Sequence, residues 1–404
     1  MLKKSLLGFL GTFIRVGSLD LTMPDGSTHR FGTGDAPSVG LAIANLATIR
    51  AILANPELGL GEAYMDERLT LTHGDLFDLF AVLIRNQKAG HLPVWQQMLS
   101  HARTSLRRFV QHSPVHVSRR NVAHHYDLST DLYDLFLTPD RLYTCAYYET
   151  DAHDLQAAQT AKVRHIEKKL LLEPGQRVLD IGCGWGHMAC HIAKTYDVHV
   201  TGVALSQVQI TACKARAKEM QVEDRVTFRY QDYRDVHERF DRVYSVGMLE
   251  HVGQPQYRTY FRKIAENLAD DGVALVHFIG RTLPPGTLSP WFNKYIFPGG
   301  YSPALSEVTP QVEHAGLIPA DIEIWRGHYD RTLFDWYERF EARADEAEAM
   351  YDATFVRMWR FYLVASVMAF REGLSFLTQM QLTKDPFLVP RTRGYLYQDQ
   401  PETA

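Results

Sequence analysis

The apolar positions of the chain change period twice, and these changes divide it. Residues 1–17 carry two lysines and then a short apolar run broken by Arg15, which reads as an amphipathic helix. The run is too short to span a bilayer, and no small-residue cleavage site follows it. Residues 17–32 alternate on either side of Pro24, Asp25 and Gly26, the pattern of a hairpin. Residues 39–112 return to helical spacing, as in Leu76, Leu79, Phe80 and Leu83. From about residue 160 a different order begins. An amphipathic helix over 160–172 runs into the Pro174–Gly175 turn, and strands are predicted at 177–182, 198–205, 226–232, 241–247 and 272–280. Helical segments such as 207–220 lie between them, and strands alternating with helices at this interval make a parallel, doubly wound sheet. A stretch rich in Pro, Gly and aromatics (282–303) follows, then a short strand near 320–325, a long helical region (331–373) and a closing strand at 374–382.

The fold class expected is therefore α/β: a doubly wound, Rossmann-like sheet with a helical cover, joined to a smaller, mostly helical N-terminal domain. The length of 404 residues suits two domains. The division is expected in the polar stretch 111–121, giving domains 1–115 and 116–404.

Composition narrows the chemistry. Hydrophobic residues at 46% and charged residues at 22% are ordinary for a globular protein. A net charge of -4 argues against a nucleic-acid partner, which favours a basic surplus. Four cysteines (Cys145, Cys183, Cys190, Cys213) form no C-x-x-C pair, so neither a zinc framework nor a disulfide scaffold is expected, and a reducing cytoplasm is. No window holds the roughly 20 apolar residues of a membrane span.

The densest signal is VLDIGCGWG at 178–186: a strand ending in Asp180, then Gly182, Cys183, Gly184 and Gly186. Glycines let backbone turn tightly and approach a ligand, and ligands of open α/β sheets lie at the carboxyl ends of the strands. A dinucleotide loop would want its third glycine at 187, which is His187. The spacing instead resembles the first motif of S-adenosylmethionine-dependent methyltransferases. Such enzymes usually end their second strand in an acid, whereas this chain has Val203, Ala204, Leu205 and Ser206 there.

Seven ordered segments account for that departure: 124–148, 178–186, 201–209, 231–235, 247–253, 291–300 and 328–340. Together they resemble the cyclopropane-fatty-acyl-phospholipid synthase family and the related mycolic acid cyclopropane synthases, in which a T-G-V-x-L-S segment replaces the acid. The resemblance runs from about residue 120 to the end and is less specific over the first 110 residues. It implies S-adenosylmethionine contacts at Tyr143, Thr144, Gly182, Cys183, Gly184, Gly186, Leu205, Ser206, Gln209, Tyr233 and Arg234, with Asp180 organising the loop from beneath. It also implies a bound bicarbonate at Cys145, Glu250, His277, Ile279 and Tyr329, and no metal.

The implied reaction transfers a methylene to the cis double bond of an unsaturated phospholipid acyl chain, forming a cyclopropane. An alkene is a weak nucleophile, so the sulfonium methyl must be held against it in a dry channel. Methyl transfer leaves a carbocation that aromatic faces stabilise, and ring closure removes a proton from the new methyl. In this scheme His277 and Tyr329 donate to the anion. Glu250 orients His277 or takes a proton, the Ile279 N–H and Cys145 carbonyl complete the cage, and the thiol is not a nucleophile. A cytoplasmic protein visiting the inner face of the membrane is implied, and a homodimer is compatible. Two other outcomes stay open: fatty acyl methylation without ring closure, and a non-catalytic lipid-binding relative. Among further alternatives, a small-molecule or RNA methyltransferase leaves the 282–303 segment and the long C-terminal helices unexplained. The aromatic stretch 358–370 reads as core or acyl-channel lining.

Overall fold

A computed structural model of the chain describes residues 1–90 and 130–398, and these divide into two compact units. Four sequence expectations fall outside the described residues: the helical pattern over 91–112, the linker at 111–121, the division after residue 115, and the start of the 124–148 segment.

The first unit gathers residues 1–90 with Gly286–Pro298 and Leu333–Leu374. It opens on the expected helix, Leu2–Phe13, and the expected hairpin, β1 (Ser18–Thr22) against β2 (Thr28–Gly32). The helical reading then needs correcting. Ser38–Ile43 is a strand, β3, parallel to β1, and Leu69–His73 is β4, antiparallel to β3. The sheet order is β2-β1-β3-β4, so this unit pairs a sheet with its helices. The β3 sequence SVGLAI is a continuous, mostly buried apolar run, and in such a run periodicity does not separate strand from helix. The remaining segments are helices at Leu46–Ala54, Pro56–Met65 and Leu76–Lys88. Asp75 starts the last with a reciprocal capping box, its carboxylate accepting from the Asp78 N–H at 2.9 Å. The aromatic stretch 358–370 belongs to the helix Ala353–Arg371 and forms core: the Phe361 ring lies 4.6 Å from Trp291 and 5.0 Å from Phe80.

The second unit contains the predicted α/β sheet. Its strands are β5 (Arg177–Ile181), β6 (His199–Ala204), β7 (Val226–Tyr230), β8 (Phe240–Val246), β9 (Leu268–Arg281), β10 (Ile318–Trp325) and β11 (Ser375–Thr383), in the order β10-β11-β9-β8-β5-β6-β7. The run from β9 to β7 is parallel throughout, whereas β11 enters antiparallel between β9 and β10. Strands buried on both faces read as unbroken apolar runs, as Val273, Ala274, Leu275 and Val276 do. Helices Leu155–Leu170, His187–Tyr196, Gln207–Glu219 and Tyr257–Asn267 accompany the strands, and the first begins where the Asp154 carboxylate accepts from the Ala157 N–H at 2.8 Å. Among the described residues no helix is long and apolar enough to cross a membrane.

Candidate active site

The glycine loop leaves β5 and turns at once into the helix His187–Tyr196. Gly182, Gly184 and Gly186 all have positive φ, a region that L side chains avoid. The Val203 carbonyl accepts from the Gly182 and Cys183 N–H groups at 2.9 and 3.2 Å, which ties the loop to the end of β6. Beneath it Asp180 is buried and accepts from the Tyr244 hydroxyl at 2.8 Å. Burial pushes its carboxyl up to about 7. A Cβ on Gly186 would come within 2.9 Å of Cys213 Sγ, whereas one on Gly175, at nearly the same φ, would meet nothing within 4 Å. Gly186→Ala is therefore expected to cost about 1–3 kcal/mol more than Gly175→Ala in thermal unfolding, the typical cost of overpacking.

Leu205, Tyr233 and Arg234 line one depression with Asp232, Met248, His251 and Val252. The alternating apolar pattern gave no reason to single out the last four. The Asp232 carboxylate accepts from the Arg234 backbone N–H at 2.9 Å and from its guanidinium at 2.8 and 2.7 Å, which holds that side chain at the rim. Ser206 caps the helix Gln207–Glu219, its hydroxyl accepting from the Gln209 N–H at 3.3 Å, and both residues are buried. The Tyr143 ring packs edge-on against Tyr133 and Phe136, with centroids 5.4 and 5.9 Å away. The Thr144 carbonyl accepts from Gln159 Nε2 at 3.0 Å.

All five residues of the expected anion site lie together at the carboxyl ends of β8 and β9. Cys145 packs with Trp325 and Leu377, and Ile279, Tyr329 and Tyr147 close over them. In the ladder Trp325 faces Leu377 and Leu377 faces Ile279, so three strands present one continuous wall. His277 lies two residues before Ile279, hence on the same face, with its ring edge-on to Trp325 at 5.5 Å. Glu250 follows β8, and its Oε1 accepts from the Ile279 N–H at 2.6 Å. Its own carbonyl accepts from the Tyr301 N–H at 2.8 Å. The buried atoms Glu250 Oε2 and His277 Nε2 have no hydrogen-bond partner among the described residues.

Two of the expected details are rearranged. The Ile279 N–H donates to Glu250 rather than standing free for an anion. The residue that orients His277 is Gln379, directly opposite it on β11, whose Nε2 lies 3.1 Å from Nδ1. With the amide donating, the ring proton resides on Nε2, aimed away from the strand pair. Burial, joined by Lys162, Lys169 and His165, holds the imidazole well below its usual range, so it is neutral at physiological pH. Burial pushes the Glu250 carboxyl up to about 7, against the opposing pull of the Ile279 bond. Burial likewise raises the Cys145 thiol well above its usual range, which keeps it protonated and unreactive.

The sequence reading missed the buried polar layer behind this wall. Tyr147 packs against His165, Trp325 and His328 at 4.6, 4.7 and 4.9 Å. His165 Nε2 lies 2.8 Å from Glu323 Oε2, to which Lys169 Nζ also donates at 2.5 Å. Thr332 fixes the strap before β5, accepting from the Ala146 N–H at 3.0 Å.

Comparison with known proteins adds a family context. A family model described as mycolic acid cyclopropane synthetase matches residues 114–380, and a second, described as a domain of unknown function, matches residues 15–91. The cyclopropane-fatty-acyl-phospholipid synthase of Escherichia coli (strain K12) is 37% identical over 363 residues, 87% of this chain and 92% of that protein. A probable fatty acid methyltransferase, Rv3720, of Mycobacterium tuberculosis is 32% identical over 95% of both chains. Among solved structures, mycolic acid cyclopropane synthase CmaA1 complexed with SAH and CTAB superposes with a TM-score of 0.62 at 31% identity, covering 65% of this chain and 97% of that one.

Proposed function

The chain belongs to the mycolic acid cyclopropane synthetase family, and from that premise we propose that it converts the cis double bond of a phospholipid acyl chain to a cyclopropane, with S-adenosylmethionine as methyl donor and bicarbonate as base. The observation that carries this reading is that two buried polar atoms on neighbouring residues of one wall, Glu250 Oε2 and His277 Nε2, have no partner among the described residues. One is an acceptor and the other a donor. Protonated oxyanions such as bicarbonate offer both complements, so the residues present fit the group.

S-adenosylmethionine, when bound, supplies an electrophilic methyl, and bicarbonate supplies a small, replaceable base. The chain's own residues do the rest. The glycine loop and the depression at Leu205, Tyr233 and Arg234 hold and orient the donor at the carboxyl ends of β5 to β8. Trp325, Tyr147 and Tyr329 keep water out and present ring faces to developing positive charge. Gln379 holds His277 as a neutral donor, so the imidazole stabilises negative charge at Nε2 without becoming a competing nucleophile for the cation. Glu250, poised near neutrality, is a stationary acceptor for a proton at Oε2. The acyl substrate is reached from the water side of a membrane, with the protein at the cytoplasmic face.

Lipids extracted from cells that lack such enzymes and express this chain test the reading by mass spectrometry. Acyl chains gaining one CH2 while losing the double bond are the expected result. The same gain with the alkene retained, or with two further hydrogens, would instead assign methyl transfer without ring closure.

A further inference from the structure

The helix Leu155–Leu170 buries two lysines, and they are treated differently. Lys169 lies within 2.5 Å of Glu323 and 3.5 Å of Asp321. Lys162 is equally inaccessible, yet it makes no ion pair among the described residues; its Nζ donates to the Thr144 hydroxyl at 2.8 Å. Its neighbours compensate it only weakly. The Cys145 thiol is kept protonated by burial and His277 is neutral, while Asp140, hydrogen-bonded to Gln156 at 2.5 Å and His187 at 3.1 Å, attracts Lys162 only from beyond ion-pair distance. An ammonium out of water without a counter-charge is expensive, and buried charges are found paired. Burial accordingly pushes Lys162 down to about 7, leaving its charge to depend on what binds beside it.

We propose that Lys162 is a positioning residue whose ammonium, hydrogen-bonded to Thr144 next to Cys145, is the counter-charge that draws the small oxyanion to the Glu250–His277 end of the site. This rests on the bicarbonate reading above. The arrangement explains why Lys162 has no carboxylate within ion-pair distance among the described residues: one at that place would neutralise the charge and repel the anion.

Lys162→Met removes the charge at nearly constant volume, and Lys162→Gln keeps a donor for Thr144. Both are tested in the full chain depleted of carbon dioxide, with bicarbonate then added back. Three quantities are read: the bicarbonate-induced rise in unfolding temperature, the half-saturating bicarbonate concentration for turnover, and calorimetric affinity for S-adenosylhomocysteine. The expected result is that Lys162→Met unfolds no earlier than the wild type, loses the bicarbonate-induced rise, and needs about tenfold more bicarbonate or higher, while S-adenosylhomocysteine affinity stays within about threefold. Should the Met protein not accumulate, the Gln protein is read in the same way. If the wild type responds to bicarbonate and the variants respond equally, this proposal alone is overturned. If S-adenosylhomocysteine affinity falls instead, the counter-ion of Lys162 is the cofactor carboxylate and the proposal is again overturned. A wild type indifferent to bicarbonate would remove the base reading itself, and this inference with it.

Discussion

Glu250→Gln is expected to lower kcat by about 10²–10⁴-fold, the range of a positioned general acid or base, while S-adenosylhomocysteine affinity changes less than about threefold. The amide oxygen can still accept from the Ile279 N–H, as Oε1 does at 2.6 Å, so the local geometry survives and the loss is confined to proton handling at Oε2. The wild-type rate should climb through a limb near pH 7, where the carboxyl ionises, and the variant should lack that limb. Stability should move the other way. An exposed carboxyl ionises near 4.5 and this one near 7, so the folded ligand-free protein holds the proton more tightly than the unfolded chain. The stability so contributed is present below pH 4.5 and is lost as the pH rises to about 7. Above that, the buried carboxylate costs roughly 3 kcal/mol at 1.36 kcal/mol per pH unit. Glu250→Gln should therefore unfold later than the wild type at pH 8 and match it near pH 4. A variant less stable at both would make Glu250 a structural residue.

Much of this site could be read along the chain because its chemistry is concentrated at strand ends. The five parallel strands fell within a few residues of their expected places, since each is a buried run flanked by helical spacing, and the glycine loop follows β5 directly. Local sequence carries no such record of pairing direction. The segment 374–382 was legible as a strand, but its antiparallel entry between β9 and β10 depends on partners 94–110 and 52–65 residues away along the chain. Gln379 was missed for the same reason: its partner, His277, is 102 residues distant. A signal was present, because Gln379 and Gln381 alternate with Met380 and Leu382 in a strand where the polar face is as fully buried as the apolar one. Strand polarity without a solvent face asks for buried partners. β3 was lost to the ambiguity of a short apolar run, β4 to the brevity of its LTLTH alternation, and Lys162 to the amphipathic look of its helix, where lysine reads as solvated surface.

Glu323→Ala is expected to cost about 3–5 kcal/mol, the usual cost of stranding one member of a buried ion pair, with unfolding lowered by on the order of 10 °C. Burial by itself would raise this carboxyl; the His165 bond and the Lys169 ammonium outweigh it and hold Glu323 well below the carboxylate range. A depressed carboxyl contributes stability above its unfolded value of 4.5 and loses it as the pH falls towards the folded value. The gap between wild type and variant should thus be widest near neutrality and close in acid. Removing Glu323 leaves Lys169 with Asp321 at 3.5 Å, a carboxylate already engaged by Arg393 at 2.7 Å, so the ammonium is undercompensated. Lys169→Met combined with Glu323→Leu should recover most of the loss, because an apolar pair of similar volume carries no desolvation cost. Turnover follows a different path through the same residues. Without Glu323, His165 loses the bond that holds it against Tyr147 and Trp325, and Trp325 is the ring against which His277 packs. In the double variant, stability should therefore return while kcat stays below wild type. Recovery of both together would mean that the network supports the sheet and leaves the site wall untouched.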